Sequence, residues 1–141
     1  LIDIGTPDAT IRKMRQLGLN AIVEALNSVL PDRLVRKHVS LNSNTLILGE
    51  ETINAENVDQ IIVLGGGKAT GEMCKALLSI IDQLEHTITI TGLINVPRGQ
   101  EYPSTLKTKH HKGVVEVNFA SHPIPDEAGK KGVQKMVEIF R

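Results

Sequence analysis

The order of segments in this 141-residue chain predicts an α/β fold, a three-layer α/β/α sandwich built on a mainly parallel sheet. Short apolar segments typical of strands alternate with segments of helical length, and such alternation favours parallel strands joined by right-handed crossovers. The first of these strands is apolar at four successive positions, Ile61 to Leu64. A run of that kind is expected for a strand that is covered on both faces.

The chain opens with a predicted helix. Thr6 can cap it, Pro7 is tolerated at a first helical position, and Asp8 suits the positive end of a helix. The pattern continues to about Leu30, and its apolar positions fall mostly three or four apart, which predicts one face on the core. These positions are Ile11, Met14, Leu17, Ile22, Ala25, Leu26 and Val29.

A small appendage is predicted between this helix and the main sheet. Pro31 ends the helix, and residues 32–38 are expected to form another short turn. Residues 45–54, "TLILGEETIN", consist of two short alternating runs around Gly49, a pattern typical of a β-hairpin.

The rest of the chain predicts the main α/β unit, in a Rossmann-like arrangement. The predicted elements are a strand over 60–64, a helix over 68–84, a strand over 87–96, a polar loop over 97–112, a strand over 113–119 and a helix from about Pro125. The long polar loop follows the carboxyl end of a strand, where folds of this class usually place their binding loops.

Composition excludes several classes of function. Sixteen basic and sixteen acidic residues cancel, so no global field attracts the chain to nucleic acid or to an anionic membrane. With two Phe and one Tyr, base-stacking surfaces are also scarce. The single Cys74 rules out an intrachain disulfide and fits a reducing cytoplasm. No apolar stretch reaches the roughly 20 residues of a membrane span, so we expect a cytoplasmic protein that does not cross a membrane.

The segment "GGGKATG", residues 65–71, predicts an anion site but matches neither common phosphate loop. A P-loop requires a glycine where Ile62 stands, and its lysine is not followed here by Ser or Thr. A dinucleotide fingerprint matches Gly65 and Gly67 but then meets Thr70, and the acidic ribose partner is absent from the next strand. NAD is therefore only weakly indicated.

A glycine turn between a strand and a helix still allows an anion to approach backbone N–H groups. On this interpretation Gly65, Gly66 and Gly67 face the anion, and Lys68 adds a full charge in the first helical turn. The alternative is that the glycines only permit a tight turn while Lys68 points to solvent.

A second candidate segment is "ASHPIPDEAG", residues 120–129, after the last predicted strand. His122 stands where a side chain can bind phosphate, donate to a carboxylate or act as a base, or it braces the loop. Asp126 suits a helix cap more than a catalytic acid, and Glu127 suits the helix dipole. These residues identify no metal site. The basic cluster over residues 107–112 is interpreted as a solvated loop.

"VLGGGKATGEM" and "ASHPIPDEAG", in this order, resemble the N-terminal domain of the type-2 glycerate kinases. The resemblance implies a fragment: residues 1–141 would be the N-terminal part of the Rossmann-like domain, and the C-terminal domain would be absent. It also implies transfer of the γ-phosphoryl group of ATP, with Mg²⁺, to D-glycerate, usually at the 2-hydroxyl, in a cleft between the two domains.

The same resemblance implies that Lys68 is the catalytic lysine and that the glycines, His122 and Asp126 bind substrate or phosphate. One departure is "NVPRGQ", residues 95–100, where the family often has V-x-K-Y-G-H, so Arg98 is expected to supply the missing charge. Ser121 replaces a glycine. Two rival functions stay open: an NAD(P)-dependent hydroxypyruvate reductase and a non-catalytic module that binds a phospho-ligand.

Overall fold

The computed structural model describes residues 8–141, which form a small antiparallel sheet, a larger mixed sheet and four helices. The helices are α1 (Ala9–Ser28), α2 (Pro31–His38), α3 (Thr70–Ile81) and α4 (Glu127–Phe140). The strands are β1 (Val39–Asn42), β2 (Thr45–Leu48), β3 (Glu51–Asn54), β4 (Gln60–Gly66), β5 (Thr89–Pro97), β6 (Thr105–Leu106) and β7 (Lys112–Ala120).

The main sheet has the order β4-β5-β7-β6, with β4, β5 and β7 parallel and β6 antiparallel. Along β5 the side chains alternate between its two faces: Ile90 and Ile94 pack into the core with α3, whereas Asn95 contacts α4. Helices therefore cover opposite faces, and the predicted three-layer α/β/α sandwich is confirmed. The short strand β6 lies within the segment predicted to be loop.

The core lies between the sheet and α3 and is aliphatic, as the scarcity of aromatic residues requires. Six large side chains in it are less than 2% exposed, and burial of each contributes about 1.5–3 kcal/mol. They are Ile81, Ile88, Ile90, Ile94, Val96 and Val115. Cys74 of α3 is buried with them as a small apolar residue.

The prediction that the first helix buries an apolar stripe against the core is wrong for the described residues. No residue of α1 is buried, and Met14 is 67% exposed. The helix begins after Asp8, whose carboxylate accepts a hydrogen bond from the Thr10 N–H at 2.8 Å, while Thr6 and Pro7 lie outside the described residues. The period of a stripe shows that a helix has an apolar face, but it does not show which surface covers that face.

The expectation that β4 is covered on both faces is also wrong within residues 8–141. Val63 is buried under α3, but Ile62 and Leu64, which point to the other face, are 39% and 38% exposed. The reason is topological, because β4 is the edge strand of the described sheet and α4 lies mainly over β5 and β7.

The appendage is larger than expected. The hairpin over residues 45–54 is confirmed as β2 and β3, and β1 adds a third antiparallel strand. Residues 31–38 form the helix α2 rather than a turn, with Pro31 in its first turn and basic residues in its last, an arrangement that suits the helix dipole. Val35 of α2 packs on Ala76 and Ile80 of α3.

The described helices include none that is both long enough and apolar enough to span a bilayer.

Candidate functional site

Three loops converge at one edge of the main sheet. Because β4, β5 and β7 are parallel, their carboxyl ends at Gly66, Pro97 and Ala120 lie at the same edge, about 4.8 Å apart from strand to strand. The loops that follow carry Lys68, Arg98 and His122, the residues predicted to bind substrate. This edge is where α/β folds usually bind ligands.

The turn after β4 depends on a glycine. Gly67 has a φ of 126°, which residues other than glycine rarely adopt. Its N–H donates to the Asn95 carbonyl at 3.0 Å, and its carbonyl accepts from the Thr70 N–H at 3.2 Å. The Gly67 amide is therefore used within the protein, although the sequence suggested that it faces an anion.

The free amides lie one step further along the chain. The N–H groups of Lys68 and Ala69 donate to no acceptor among residues 8–141, and no side chain caps α3, which begins at Thr70 rather than at the predicted Lys68. The Lys68 side chain is exposed and takes part in none of the ion pairs between described residues. Two amides, a helix N-terminus and one ammonium group together suit a phosphate or a carboxylate.

The loop after β5 folds over this turn. The side-chain amide of Gln100 donates to the Lys68 carbonyl at 2.9 Å, and the Tyr102 ring packs on Gly71 so closely that an added Cβ would lie 2.2 Å from Cζ. The Gln100 Oε1 atom is buried and accepts no hydrogen bond from the described residues. A ligand hydroxyl group or ammonium group is the kind of donor that would satisfy it.

Tyr102 is held by two charged residues of α3. Its hydroxyl donates to Glu72 Oε1 at 3.0 Å, and the Lys75 ammonium lies 2.9 Å from the same oxygen and 4.5 Å from the ring centroid. The hydrogen bonds from Lys75 and Tyr102 lower the pKa of Glu72, while burial and then Glu72 raise the pKa of Tyr102. These contacts fix the loop against the start of α3.

Arg98 and Asp126 form an ion pair of 2.8 Å at the same edge. Asp126 is also the N-cap of α4, where its Oδ1 accepts a hydrogen bond from the Gly129 N–H at 2.9 Å. That bond, together with hydrogen bonds from Ser121 and the charge of Arg98, lowers the pKa of Asp126. Asp126 therefore acts here as a cap and as the partner of Arg98, and Arg98 is only partly available to a ligand.

His122 is exposed, and its ring has no hydrogen-bond partner among the described residues. It follows β7 directly, and a cis peptide bond joins it to Pro123. The ring is accessible to a ligand and does not brace the loop through a hydrogen bond to described residues. Glu127 is exposed in the first turn of α4, as expected for a dipole partner.

Two asparagines that the sequence analysis did not single out tie α4 to the sheet. Asn118 donates to Asn95 Oδ1 at 2.7 Å and to the Ala128 carbonyl at 3.0 Å, while Asn95 donates to the Gly129 carbonyl at 3.3 Å. They occupy paired positions near the ends of β5 and β7. An amide near the end of each of two apolar strands was the signal that could have identified them.

The basic cluster over residues 107–112 lies near the carboxyl end of α3, away from these strand ends. The N–H groups of Lys109 and His110 donate to the Asp82 carboxylate at 2.9 and 3.0 Å. His111 is buried, contrary to the prediction of a solvated loop, while the three lysines of the cluster and His110 are exposed. The cluster therefore anchors the chain before β7.

Within residues 8–141, no group of three His, Cys, Asp or Glu side chains is placed to hold a metal ion. Asp126 is the one carboxylate among the predicted site residues, and Gly129 and Arg98 already occupy its oxygens.

The mainly parallel sheet has helices on both faces, which defines a Rossmann-like α/β domain. Glycine-rich and basic loops lie at the carboxyl edge of this sheet, so its strand ends suit an anion. Residues 18–141 match a family model described as "Domain of unknown function (DUF4147)". The chain belongs to this family, and the resemblance drawn from its two motifs is confirmed at that level.

Two curated relatives carry informative names. The chain is 28% identical over 127 residues to the glycerate 2-kinase of Pyrococcus horikoshii and covers 25% of that protein. It is 23% identical over 130 residues to the D-glycerate 2-kinase of Thermotoga maritima and covers 24% of it. The matches include 90% and 89% of this chain, which thus spans about a quarter of the length of these relatives.

The fold has a counterpart among solved structures. The crystal structure of the PH0495 protein from Pyrococcus horikoshii OT3 superimposes with a TM-score of 0.67 at 27% identity, over 90% of this chain and 26% of the other. The α/β architecture is therefore that of an experimentally observed domain.

Proposed function

We propose that the full-length protein is an ATP-dependent kinase that phosphorylates D-glycerate to 2-phosphoglycerate, and that this chain is the N-terminal part of its Rossmann-like domain. One observation carries the proposal. In a chain whose relatives are named glycerate 2-kinases, the Lys68 ammonium adjoins two backbone N–H groups at the carboxyl edge of the sheet, and all three are without a partner among residues 8–141.

Phosphoryl transfer suits this arrangement because it depends on positioning and charge neutralisation rather than on a covalent nucleophile. In the proposed enzyme Lys68 is catalytic, and its ammonium stabilises the charge of the transferring group. The Lys68 and Ala69 amides bind a phosphate oxygen, with Gly65 to Gly67 keeping the turn free of side chains. Arg98, oriented by Asp126, and His122 contact the anionic acceptor.

ATP would supply the phosphoryl group, and Mg²⁺ would neutralise the charge of its phosphates. The glycine turn and Lys68 fit a phosphate. Because the described residues contain no cluster of metal ligands, we assign Mg²⁺ to the nucleotide phosphates and to residues outside 8–141. Mg²⁺ commonly binds in this way, through substrate phosphates, water and one or two carboxylates.

Lys68→Ala in the full-length protein tests the assignment. Loss of one preorganised charge contact should lower kcat by about 10² to 10³, measured as ADP release with D-glycerate. Lys107→Ala, which removes an exposed lysine from the basic cluster over residues 107–112, is the matched control and should leave the rate unchanged. Near-normal turnover of Lys68→Ala would remove this residue from the mechanism.

The substrate requires its own assay. We expect ADP release with D-glycerate, and ³¹P NMR of the product should show a 2-phosphoglycerate signal rather than that of the 3-phosphate. The names of the relatives do not favour the hydroxypyruvate reductase. Oxidation of NADH or NADPH by hydroxypyruvate, without ADP release, would replace the kinase with that enzyme, and ligand binding without either reaction would leave a binding module.

A further inference from the structure

The peptide group between Lys68 and Ala69 is held by one side chain. Its carbonyl accepts a hydrogen bond of 2.9 Å from Nε2 of Gln100, and no backbone N–H of residues 8–141 donates to it. Because α3 begins only at Thr70, this peptide group lies just outside the helix. Within the described chain, its orientation therefore depends on Gln100.

The orientation of this peptide group decides where its N–H points. A peptide bond is planar and trans, so its C=O and N–H point in opposite directions. The Lys68 carbonyl is directed at the loop after β5, so the Ala69 N–H is directed away from that loop, where no described residue accepts it. A hydrogen bond at the carbonyl also polarises the peptide group and makes its N–H a stronger donor. Gln100 thus both aims and strengthens this amide.

Gln100 is itself held by a tight turn. Its N–H donates to the Pro97 carbonyl at 3.4 Å, which closes a four-residue turn. Gly99, at the third position, has a φ of 89°, and turns of type II need a positive φ there. The turn is joined to β7, because the Arg98 N–H donates to the Ala120 carbonyl at 3.0 Å. The Gln100 side chain therefore starts from a fixed base at the end of the sheet.

The other end of the Gln100 amide is not arranged for stability. Its Oε1 atom is buried and accepts no hydrogen bond from the described residues, and an unpaired buried acceptor costs free energy. An apolar side chain of the same length would fill the space without that cost. Departures of this kind are expected at functional sites. What the amide contributes here is the one bond that it donates to the Lys68 carbonyl.

We propose that Gln100 is a positioning residue of the anion site, which aims the Ala69 N–H at a phosphoryl oxygen through the Lys68 carbonyl. The identity of the anion rests on the proposed kinase function, whereas the aimed amide does not. In this role Gln100 does not touch the ligand. If Gln100 only anchored the loop, its loss would instead displace Arg98, which precedes it by two residues.

Gln100→Met in the full-length protein separates these two roles, because methionine has nearly the same length and no donor. Misalignment of one contact to the transition state should lower kcat by about 10- to 100-fold. KM for D-glycerate should change by less than about threefold, since Arg98 keeps its place. A kcat within about twofold of wild type would overturn the proposal. An accompanying rise in KM for D-glycerate would assign Gln100 to anchoring the loop.

Tyr102→Phe is the matched control, because it removes another hydrogen bond of the same loop. The lost bond joins Tyr102 to Glu72 of α3 and does not involve the Lys68 carbonyl. We expect kcat of this variant to stay within about twofold of wild type. The unfolding temperature of Gln100→Met should fall by no more than about 3 °C, since the donor and the unpaired oxygen are removed together. A larger fall, or equal losses of kcat in the two variants, would contradict the positioning role.

Binding of inorganic phosphate gives a readout that needs no turnover. In full-length protein labelled with ¹⁵N-alanine, the Ala69 signal is identified by its loss in Ala69→Ser, and its proton should move downfield as phosphate binds. In Gln100→Met the shift should be at least about threefold smaller, because a misaligned N–H forms a weaker hydrogen bond. Equal shifts in the two proteins, or none in the wild type, would refute the proposal. A wild type that shows the shift but releases no ADP with D-glycerate would overturn the kinase function alone.

Discussion

The guanidinium group of Arg98 lies 2.8 Å from Oδ2 of Asp126, the residue whose other carboxylate oxygen caps α4. One carboxylate thus joins the loop after β5 to the loop and helix after β7. The charge that a substrate meets at Arg98 therefore depends on the protonation state of Asp126 and on the integrity of this cap.

This pairing predicts a defined pH dependence for the stability of the folded domain. The pKa of Asp126 is lowered in the folded state, so its ionised form contributes stability that is fully present above the unfolded pKa, near 3.8. This contribution is lost as pH falls through the lower folded pKa. Asp126→Asn keeps a capping side chain but removes the charge, so the wild-type protein should unfold at a higher temperature at pH 6.

Thermal unfolding of the two proteins between pH 2 and pH 6 measures this difference, which should shrink toward zero at the acidic end. Glu127→Gln removes an exposed neighbouring charge and is the matched control for a general change in net charge. A difference between wild type and Asp126→Asn that stays constant over the whole range would show that the carboxylate charge has no role.

The contact between Gly71 and Tyr102 predicts strong coupling between the two positions. A methyl group at residue 71 would overlap the tyrosine ring, so Gly71→Ala should cost about 1–3 kcal/mol of unfolding free energy. In a Tyr102→Ala background the same change should cost nothing or gain up to about 1 kcal/mol, because alanine is the better helix former.

A double-mutant cycle by urea denaturation of the full-length protein measures this coupling energy. Tyr102→Phe serves as the control, since it removes the hydrogen bond to Glu72 but keeps the ring that causes the overlap. Additive effects of Gly71→Ala and Tyr102→Ala would mean that the loop does not rest on α3 in solution.

The sequence predicted the layered fold because strand and helix patterns are local. The alternation from β4 to α4 was sufficient for the parallel sheet, and the hairpin around Gly49 was recognised from its period. Contacts between residues far apart in the chain were harder to predict from the sequence. Ile62 and Met14 were assigned to buried faces because an apolar pattern does not say whether another element covers it, and both are exposed among the described residues.

For the site, the sequence identified the residues at the strand ends but not their connections. The ion pair of Arg98 with Asp126 joins residues 28 positions apart, and the Tyr102 contact with Gly71 joins residues 31 positions apart. No local pattern encodes either contact. The availability of backbone N–H groups was also misjudged, since Gly67 uses its own and the free ones belong to Lys68 and Ala69. Hydrogen-bond partners of a turn follow from its dihedral angles, which the residue types leave open.

Substitution of the adjacent His110 and His111, in the basic cluster over residues 107–112, should have very different effects on the free energy of unfolding. His111 is only 9% exposed: its Nε2 donates to the Ile81 carbonyl at 2.7 Å, and its Nδ1 accepts from the Ile88 N–H at 3.5 Å. His111→Ala leaves the Ile88 N–H unpaired, removes one of the two donors to the Ile81 carbonyl, which keeps the Leu84 N–H, and opens a cavity, so we expect a loss of about 2–4 kcal/mol. His110→Ala removes an exposed ring whose Nδ1 lies 3.3 Å from the Asp82 carboxylate, and the expected loss is below about 1 kcal/mol. Urea denaturation of the two variants decides the matter, and equal losses would mean that His111 is not buried in solution.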